Sequence, residues 1–206
     1  MILRGYHTGP IMTNTYLACD EETKKAFVVD PGGQSGKLES FLQEEGYTLE
    51  YIVLTHGHGD HTGGVQRLQN VFPGVKLVAC KAEEDLLADG DWNGSRSMFG
   101  HDITLTADLW VEDGDTLQVG SMELQFLETP GHTPGGMCIY VGGVLFSGDT
   151  LFLNSVGRTD FKGSSFSKLK TAIKEKLFAL PDETPVYPGH DRPTTIGYEK
   201  EYNPFV

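Results

Sequence analysis

The chain has 206 residues, 38% of them hydrophobic, with 29 acidic against 16 basic side chains and a formal charge of −13. That length can bury one substantial core. The acidic balance argues against nucleic acid, whose phosphates need clustered Lys and Arg, and no apolar stretch is long enough for a signal peptide or a bilayer span.

Apolar β-rich runs alternate with amphipathic segments, first as several strands and then in a strand-helix rhythm. Ala26 to Val29 reads as a strand that runs into the turn Asp30-Pro31-Gly32-Gly33. Ser35 is a plausible N-cap for a helix carrying Leu38, Phe41 and Leu42 on one face, with Gly46 as its stop. Tyr51-Ile52-Val53-Leu54-Thr55 is a short apolar run of the kind buried in a sheet. Gly63-Gly64 then admits a helix through Val65, Leu68 and Val71. In the second half Glu123 to Leu127 and Val144 to Phe146 read as strands, Leu169, Ile173 and Leu177 mark a helix, and Val186-Tyr187 is a last strand. With no linker, low-complexity tract or long charge run, we expect one domain over 1–206. Cys19, Cys80 and Cys138 are odd in number and outside any Cys-x-x-Cys pattern, and read as buried thiols.

Chemistry-bearing residues follow these strands. His56, His58, Asp60 and His61 begin where the Tyr51 run stops, His132 follows the Glu123 strand, Asp149 the Val144 strand and His190 the Val186 strand. Loops at the C-terminal ends of strands are where α/β folds place ligands. In an extended loop His56, His58 and Asp60 would project to one side and His61 to the other. Imidazole and carboxylate suit zinc, manganese and iron. One catalytic zinc needs only about three protein ligands, so seven donors point to two ions, with Asp149 as the natural bridge because a carboxylate has two oxygens. A structural zinc site is the alternative, but such sites are closed, four-coordinate and rich in Cys. His7 and His101 carry no assigned role.

The run Thr55-His56-Gly57-His58-Gly59-Asp60-His61, with His132, Asp149 and His190 in that order, resembles the metallo-β-lactamase superfamily over essentially the whole chain. The resemblance implies an α/β (α+β) four-layer αβ/βα sandwich, with His56, His58 and His132 on a first metal, Asp60, His61 and His190 on a second, and Asp149 between them. Asp30 resembles the family's early Asp, which supports the metal-bearing loop. Many true β-lactamases of this fold place Cys where Asp149 stands and lack the histidine at His61. Nuclease branches work on polyanions, which the acidic charge does not fit.

Gly157-Arg158-Thr159-Asp160, Pro188-Gly189-His190 and Asn203-Pro204-Phe205 are similar to the short glyoxalase II-like group of thioester hydrolases. That likeness implies a binuclear metallohydrolase that cleaves S-lactoylglutathione or a related acyl-thiol with a hydroxide between two divalent ions, zinc first and iron or manganese next, Asp60 orienting the hydroxide. The expected partner is a small thioester, without nucleic acid or membrane, in the cytoplasm. With 16 residues after His190, we expect none of the C-terminal helical domain by which full-length glyoxalase II enzymes grip glutathione. The rival resemblance is to persulfide dioxygenases, with one iron on His56, His132 and Asp149; His190-Asp191 leans toward them, Gly136-Met137 and the Asn-Pro-Phe ending lean away. A non-catalytic metal-binding module is the third possibility. Arg158 reads as half of a structural ion pair, outside the site. Asp91 to Trp110, with Trp92, Met98 and Phe99, reads as packing beside the cleft or a lid over it.

Overall fold

A computed structural model describes all 206 residues. The first sheet is built from β1 (Ile2–Thr8), β2 (Thr13–Asp20), β3 (Lys25–Val29), β4 (Thr48–Val53), β5 (Lys76–Cys80) and β6 (Leu109–Val111), in that spatial order. Its first three strands are antiparallel neighbours, and β3 through β6 run parallel. Helices α1 (Gly36–Glu44), α2 (Gly59–Thr62), α3 (Val65–Val71), α4 (Glu84–Leu87) and α5 (Ser95–Phe99) lie in its connections. The second sheet contains β7 (Thr116–Val119), β8 (Met122–Glu128), β9 (Met137–Val141), β10 (Val144–Gly148), β13 (Pro185–Pro188) and β14 (Thr194–Thr195), in the order β14-β13-β10-β9-β8-β7. Between β10 and β13 fall a small hairpin, β11 (Leu151–Phe152) with β12 (Ser155–Val156), and α6 (Phe166–Glu175); α7 (Ile196–Tyr202) follows β14.

The period-2 alternation of the strands sorts side chains between two faces. Tyr16, Ala18, Phe27, Val29, Val53 and Val78 meet Leu124, Phe126, Ile139 and Phe146 in a core between the sheets. From the opposite face, Leu17, Val28, Ile52 and Leu77 pack on Leu38 and Leu42 of α1 and Val65 and Leu68 of α3. Leu145 and Val186 of the second sheet pack on Leu169 and Ile173 of α6 and Ile196 of α7. The result is helix, sheet, sheet, helix: the expected four-layer sandwich. Ser35 caps α1 by accepting from the Leu38 amide at 3.4 Å, and Gly46 ends its connection in the left-handed region at φ 69°. The helix expected to reach Leu177 ends at Glu175, and Leu177 lies in a 3₁₀ turn.

No helix is long and apolar enough to cross a membrane. Cys19, Cys80 and Cys138 are free and buried, as expected.

Candidate metal centre

Four connections carry the site. His56 lies three residues beyond β4, His132 on the β8–β9 loop, Asp149 directly after β10, and His190 two residues after β13. Strands β3, β4 and β5 are parallel, as are β10 and β13, so their C-terminal ends can share one edge of the sandwich. The extended-loop expectation for His56 to His61 fails at Asp60 and His61. These two sit in the single helical turn α2, closed by the His61 amide donating to the His58 carbonyl at 3.0 Å. That turn brings both side chains into the site instead of throwing His61 to the far side.

All seven donors converge. The ligand atoms of His56, His58 and His132 lie within 4.8 Å of one another, and so do those of Asp60, His61 and His190. Asp149 stands between the trios: Oδ1 is 3.4 Å from His61 Nε2, while Oδ2 is 3.6 Å from His132 Nε2 and 3.7 Å from His190 Nε2. Asp60 Oδ2 is 3.1 Å from His190 Nε2 and 3.3 Å from His61 Nε2. Gly189 is required beside them, since a Cβ there would come within 2.5 Å of both Asp149 Oδ1 and His61 Cε1.

A ring of supports aims these groups. Asp30, 1% exposed, accepts the Thr55 amide (2.8 Å) and Thr55 hydroxyl (2.6 Å), and lies 2.9 Å from His61 Nδ1. Asp30 itself adopts φ 49°, a conformation Asp tolerates better than most residues. His132 Nδ1 donates to the Arg158 carbonyl at 2.7 Å, which leaves Nε2 as the free donor. Such partners fix tautomer and ring orientation in metal sites.

The donor chemistry fits metal. His56 Nε2, His61 Nε2 and Asp149 Oδ1 are three of the five buried side-chain polar atoms that make no well-directed hydrogen bond, the 3.3 and 3.4 Å contacts of His61 Nε2 with Asp60 and Asp149 included. An unpaired buried polar atom costs about 1–3 kcal/mol, so three at one point mark a place where a cation would satisfy them. Burial, reinforced by neighbouring imidazoles, pushes His56 well down and His58 down to about 4. Burial also lowers His132. Those rings are neutral ligands at pH 7. Burial works the same way on His61, but the carboxylates of Asp60, Asp149 and Asp30 outweigh it and hold that ring well above the usual range. Against burial, the hydrogen bond to Asp60 raises His190. Burial opposes ionisation of Asp60 and Asp149, yet the His61 imidazole holds both below the usual carboxylate range.

Over the donors opens a cleft of about 600 Å³, with an apolar wall of Ile11, Trp92, Met98, Phe152 and Phe161. Phe161 stands edge-on to His58 and His132, with ring centroids 5.3 and 5.8 Å away. Trp92 and Met98 line the cleft as expected of the Asp91–Trp110 segment, whereas Phe99 turns away and fills the space beside Gly63. Arg158 pairs bidentately with Asp160 at 3.0 and 2.8 Å, as expected, while also lining the cleft. His7 and His101 are exposed, and neither reaches the donors.

Sequence reasoning passed over Glu83. Its carboxylate, 1% exposed, accepts the Gly57 amide on Oε2 at 2.7 Å and the Gly135 amide on Oε1 at 2.6 Å. In the sequence it is one of three consecutive acids, Glu83-Glu84-Asp85, and Glu84 is a surface residue paired with Lys81. The one usable signal was its position just past β5, on the edge that carries the histidines.

A two-sheet sandwich with a His/Asp cluster at one edge is the architecture of a metallo-hydrolase fold. The chain belongs to the metallo-beta-lactamase superfamily, whose family model matches residues 8–190. Among its relatives, hydroxyacylglutathione hydrolase GloC of Haemophilus influenzae is 34% identical over 94% of this chain and 92% of its own length. The mitochondrial persulfide dioxygenase ETHE1 of Bos taurus is 31% identical over 99% of this chain and 75% of its own. Among solved structures, the BLEG-1 B3 metallo-beta-lactamase aligns with a TM-score of 0.91 at 37% identity, covering 99% of both chains. TTHA1623 in a di-iron-bound form aligns at 0.85 and 34% identity, covering 98% of this chain and 100% of that one.

Proposed function

We propose that this protein is a binuclear metal-dependent hydrolase of thioesters, cleaving S-lactoylglutathione or a related acyl-thiol. The observation that carries the reading is Asp149, whose Oδ2 lies 3.6 Å from His132 of one trio and 3.7 Å from His190 of the other, while Oδ1 lies 3.4 Å from His61, so that one carboxylate reaches both trios. GloC supports the thioester, and the di-iron form of TTHA1623 supports two ions. Zinc is the first choice, with iron or manganese compatible, since nitrogen and oxygen donors accept all three.

Two divalent ions on these residues would supply a hydroxide at neutral pH and polarise the thioester carbonyl. The chain's own groups do the rest. Asp60, a carboxylate at neutral pH with a side chain 10% exposed, accepts a hydrogen bond from the attacking water and orients it. Asp30 and the Arg158 carbonyl hold the His61 and His132 rings in place. The wall of Trp92, Met98, Phe152 and Phe161 covers the substrate and excludes bulk water. The leaving thiolate needs no general acid, because a cysteine-like thiol has a pKa near ~8.5. This reading takes residues 1–206 as a single catalytic domain, working in the cytoplasm on a small molecule.

Two rival reactions have specific support. The likeness to ETHE1 favours a persulfide dioxygenase with one iron on His56, His132 and Asp149. The likeness to BLEG-1 favours β-lactam hydrolysis, despite Asp149 and His61. Metal-analysed protein assayed on S-lactoylglutathione, glutathione persulfide and a chromogenic cephalosporin separates them. The thioesterase reading expects fastest turnover of the thioester with about two metals per chain, as the seven donors require. Faster oxygen uptake on persulfide, faster cephalosporin opening, or silence on all three with metal bound would overturn it, the last in favour of a non-catalytic metal-binding module.

A further inference from the structure

Glu83 belongs to none of the donor groups, yet it touches both loops that present the three-histidine trio. Its Oε2 accepts the amide of Gly57, which lies between His56 and His58. Its Oε1 accepts the amide of Gly135, three residues after His132. Those two loops come from different sheets, one following β4 and the other following β8. The approach is close at both points: a Cβ on Gly57 would sit 3.2 Å from Glu83 Oε2, and one on Gly135 would sit 2.8 Å from the Glu83 amide nitrogen. At Gly135 a side chain would have to displace backbone, while at Gly57 it would crowd the Leu87 and Glu83 side chains.

We propose that Glu83 is a positioning residue for the first metal: one buried carboxylate ties the His56-Gly57-His58 loop to the His132 loop and so fixes the separation of three ligands that come from two sheets. This rests on the metal-centre reading above. Other contacts between the loops do not replace the tie. The His58 Nδ1 to His132 Nε2 contact at 3.0 Å joins two atoms that would themselves be committed to the ion. Met137 does donate its amide to the Thr55 carbonyl at 2.8 Å, but that bond lies where β9 begins, behind the histidines. Glu83 is also held by regular structure, at the junction of a 3₁₀ turn (Lys81–Glu83) and α4, directly after β5.

The test compares E83Q with L87A. Gln keeps the shape but turns an amide NH₂ toward one of the two N–H donors, which breaks one side of the tie. Leu87, also 1% exposed and packed where a Gly57 Cβ would meet it at 3.1 Å, offers a core defect in the same place that leaves the carboxylate intact. Zinc affinity is measured by chelator competition, the visible spectrum is recorded with cobalt in place of zinc, and thermal midpoints are taken on metal-free protein. We expect E83Q to lose about 10–100-fold in zinc affinity, the range for supports outside the ligand set. Its cobalt spectrum should change, and its metal-free midpoint should fall no further than that of L87A, which keeps wild-type affinity and spectrum. If E83Q does not fold, E83D, one methylene too short to reach both amides, takes its place with the same expectation.

Wild-type affinity in E83Q or E83D overturns the proposal, as does an equal affinity loss in L87A. Wild-type protein that binds no zinc overturns this proposal and the proposed function together. An affinity loss in E83Q alongside wild-type protein inert on thioesters retains the positioning role and removes only the proposed reaction.

Discussion

The two trios of donors share one cleft but differ in their surroundings, and the difference bears on how the centre fills. His56, His58 and His132 have only imidazoles as companions within their trio, and burial pushes all three rings down, so that they are neutral at pH 7. His61 and His190 face carboxylates, which raise both rings and so favour a proton on them against a metal. A metal entering the first trio meets ready lone pairs. One entering the second must displace protons from His61 and His190, and in return gains the charge of Asp60. The same fold edge thus builds a neutral half and a proton-carrying half, with Asp149 facing both.

Deleting a ligand should have the largest effect. His58→Ala opens the first trio, and turnover should fall by more than the about 10–100-fold typical of a lost supporting partner. Its metal-free thermal midpoint should stay close to wild type, because His58 is only half-buried at the cleft floor. Full activity in this variant, measured as thiol release, would remove the first trio from the reaction.

Asp30→Ala should be next in size, and it strikes the second half hardest. It strands the buried Thr55 amide and removes the partner of His61 Nδ1. We expect about 1–3 kcal/mol of destabilisation per unpaired group, seen in denaturant melts, and about 10–100-fold weaker binding of the second metal, seen by chelator titration.

Acidity sharpens the comparison without a mutation. Proton competition weakens metal binding by up to about tenfold per pH unit for each proton displaced. Because His61 and His190 are raised and the first trio is lowered, the second half loses affinity first as pH falls, whereas His58, at about 4, loses it only in stronger acid. Metal analysis after dialysis at stepwise lower pH should therefore show the second half emptying before the first. Simultaneous loss of both would show that the halves are not independent in this way.

The smallest expected effect is at the cleft wall. Phe161→Ala removes a 40% exposed ring standing edge-on to His58 and His132. Contacts of this kind are worth about 0.5–1.5 kcal/mol, so KM should rise about threefold to tenfold while kcat and metal content hold.

Much of the donor set was legible because its residues fall at strand ends in a pattern too dense to be incidental. The Ala26 to Val29 and Tyr51 to Thr55 strands were legible as short apolar runs, but the order of the strands in the two sheets was not. What the sequence hid was tertiary. The α2 turn cannot be read from Gly59-Asp60-His61-Thr62, a stretch with no hydrophobic period. Glu83 is indistinguishable from Glu84 until the β8–β9 loop folds over it. Phe99 looks like a second Trp92, but a one-turn helix points it under Gly63 and away from the cleft.

The central claim is hydrolysis by two ions, and its most direct test is thiol release from S-lactoylglutathione by zinc-loaded protein, measured in air and under anaerobic conditions with metal content determined on the same sample. We expect equal rates in both atmospheres and about two ions per chain, one for each trio of donors. No thiol release, together with oxygen uptake on glutathione persulfide by protein holding a single iron, would contradict it.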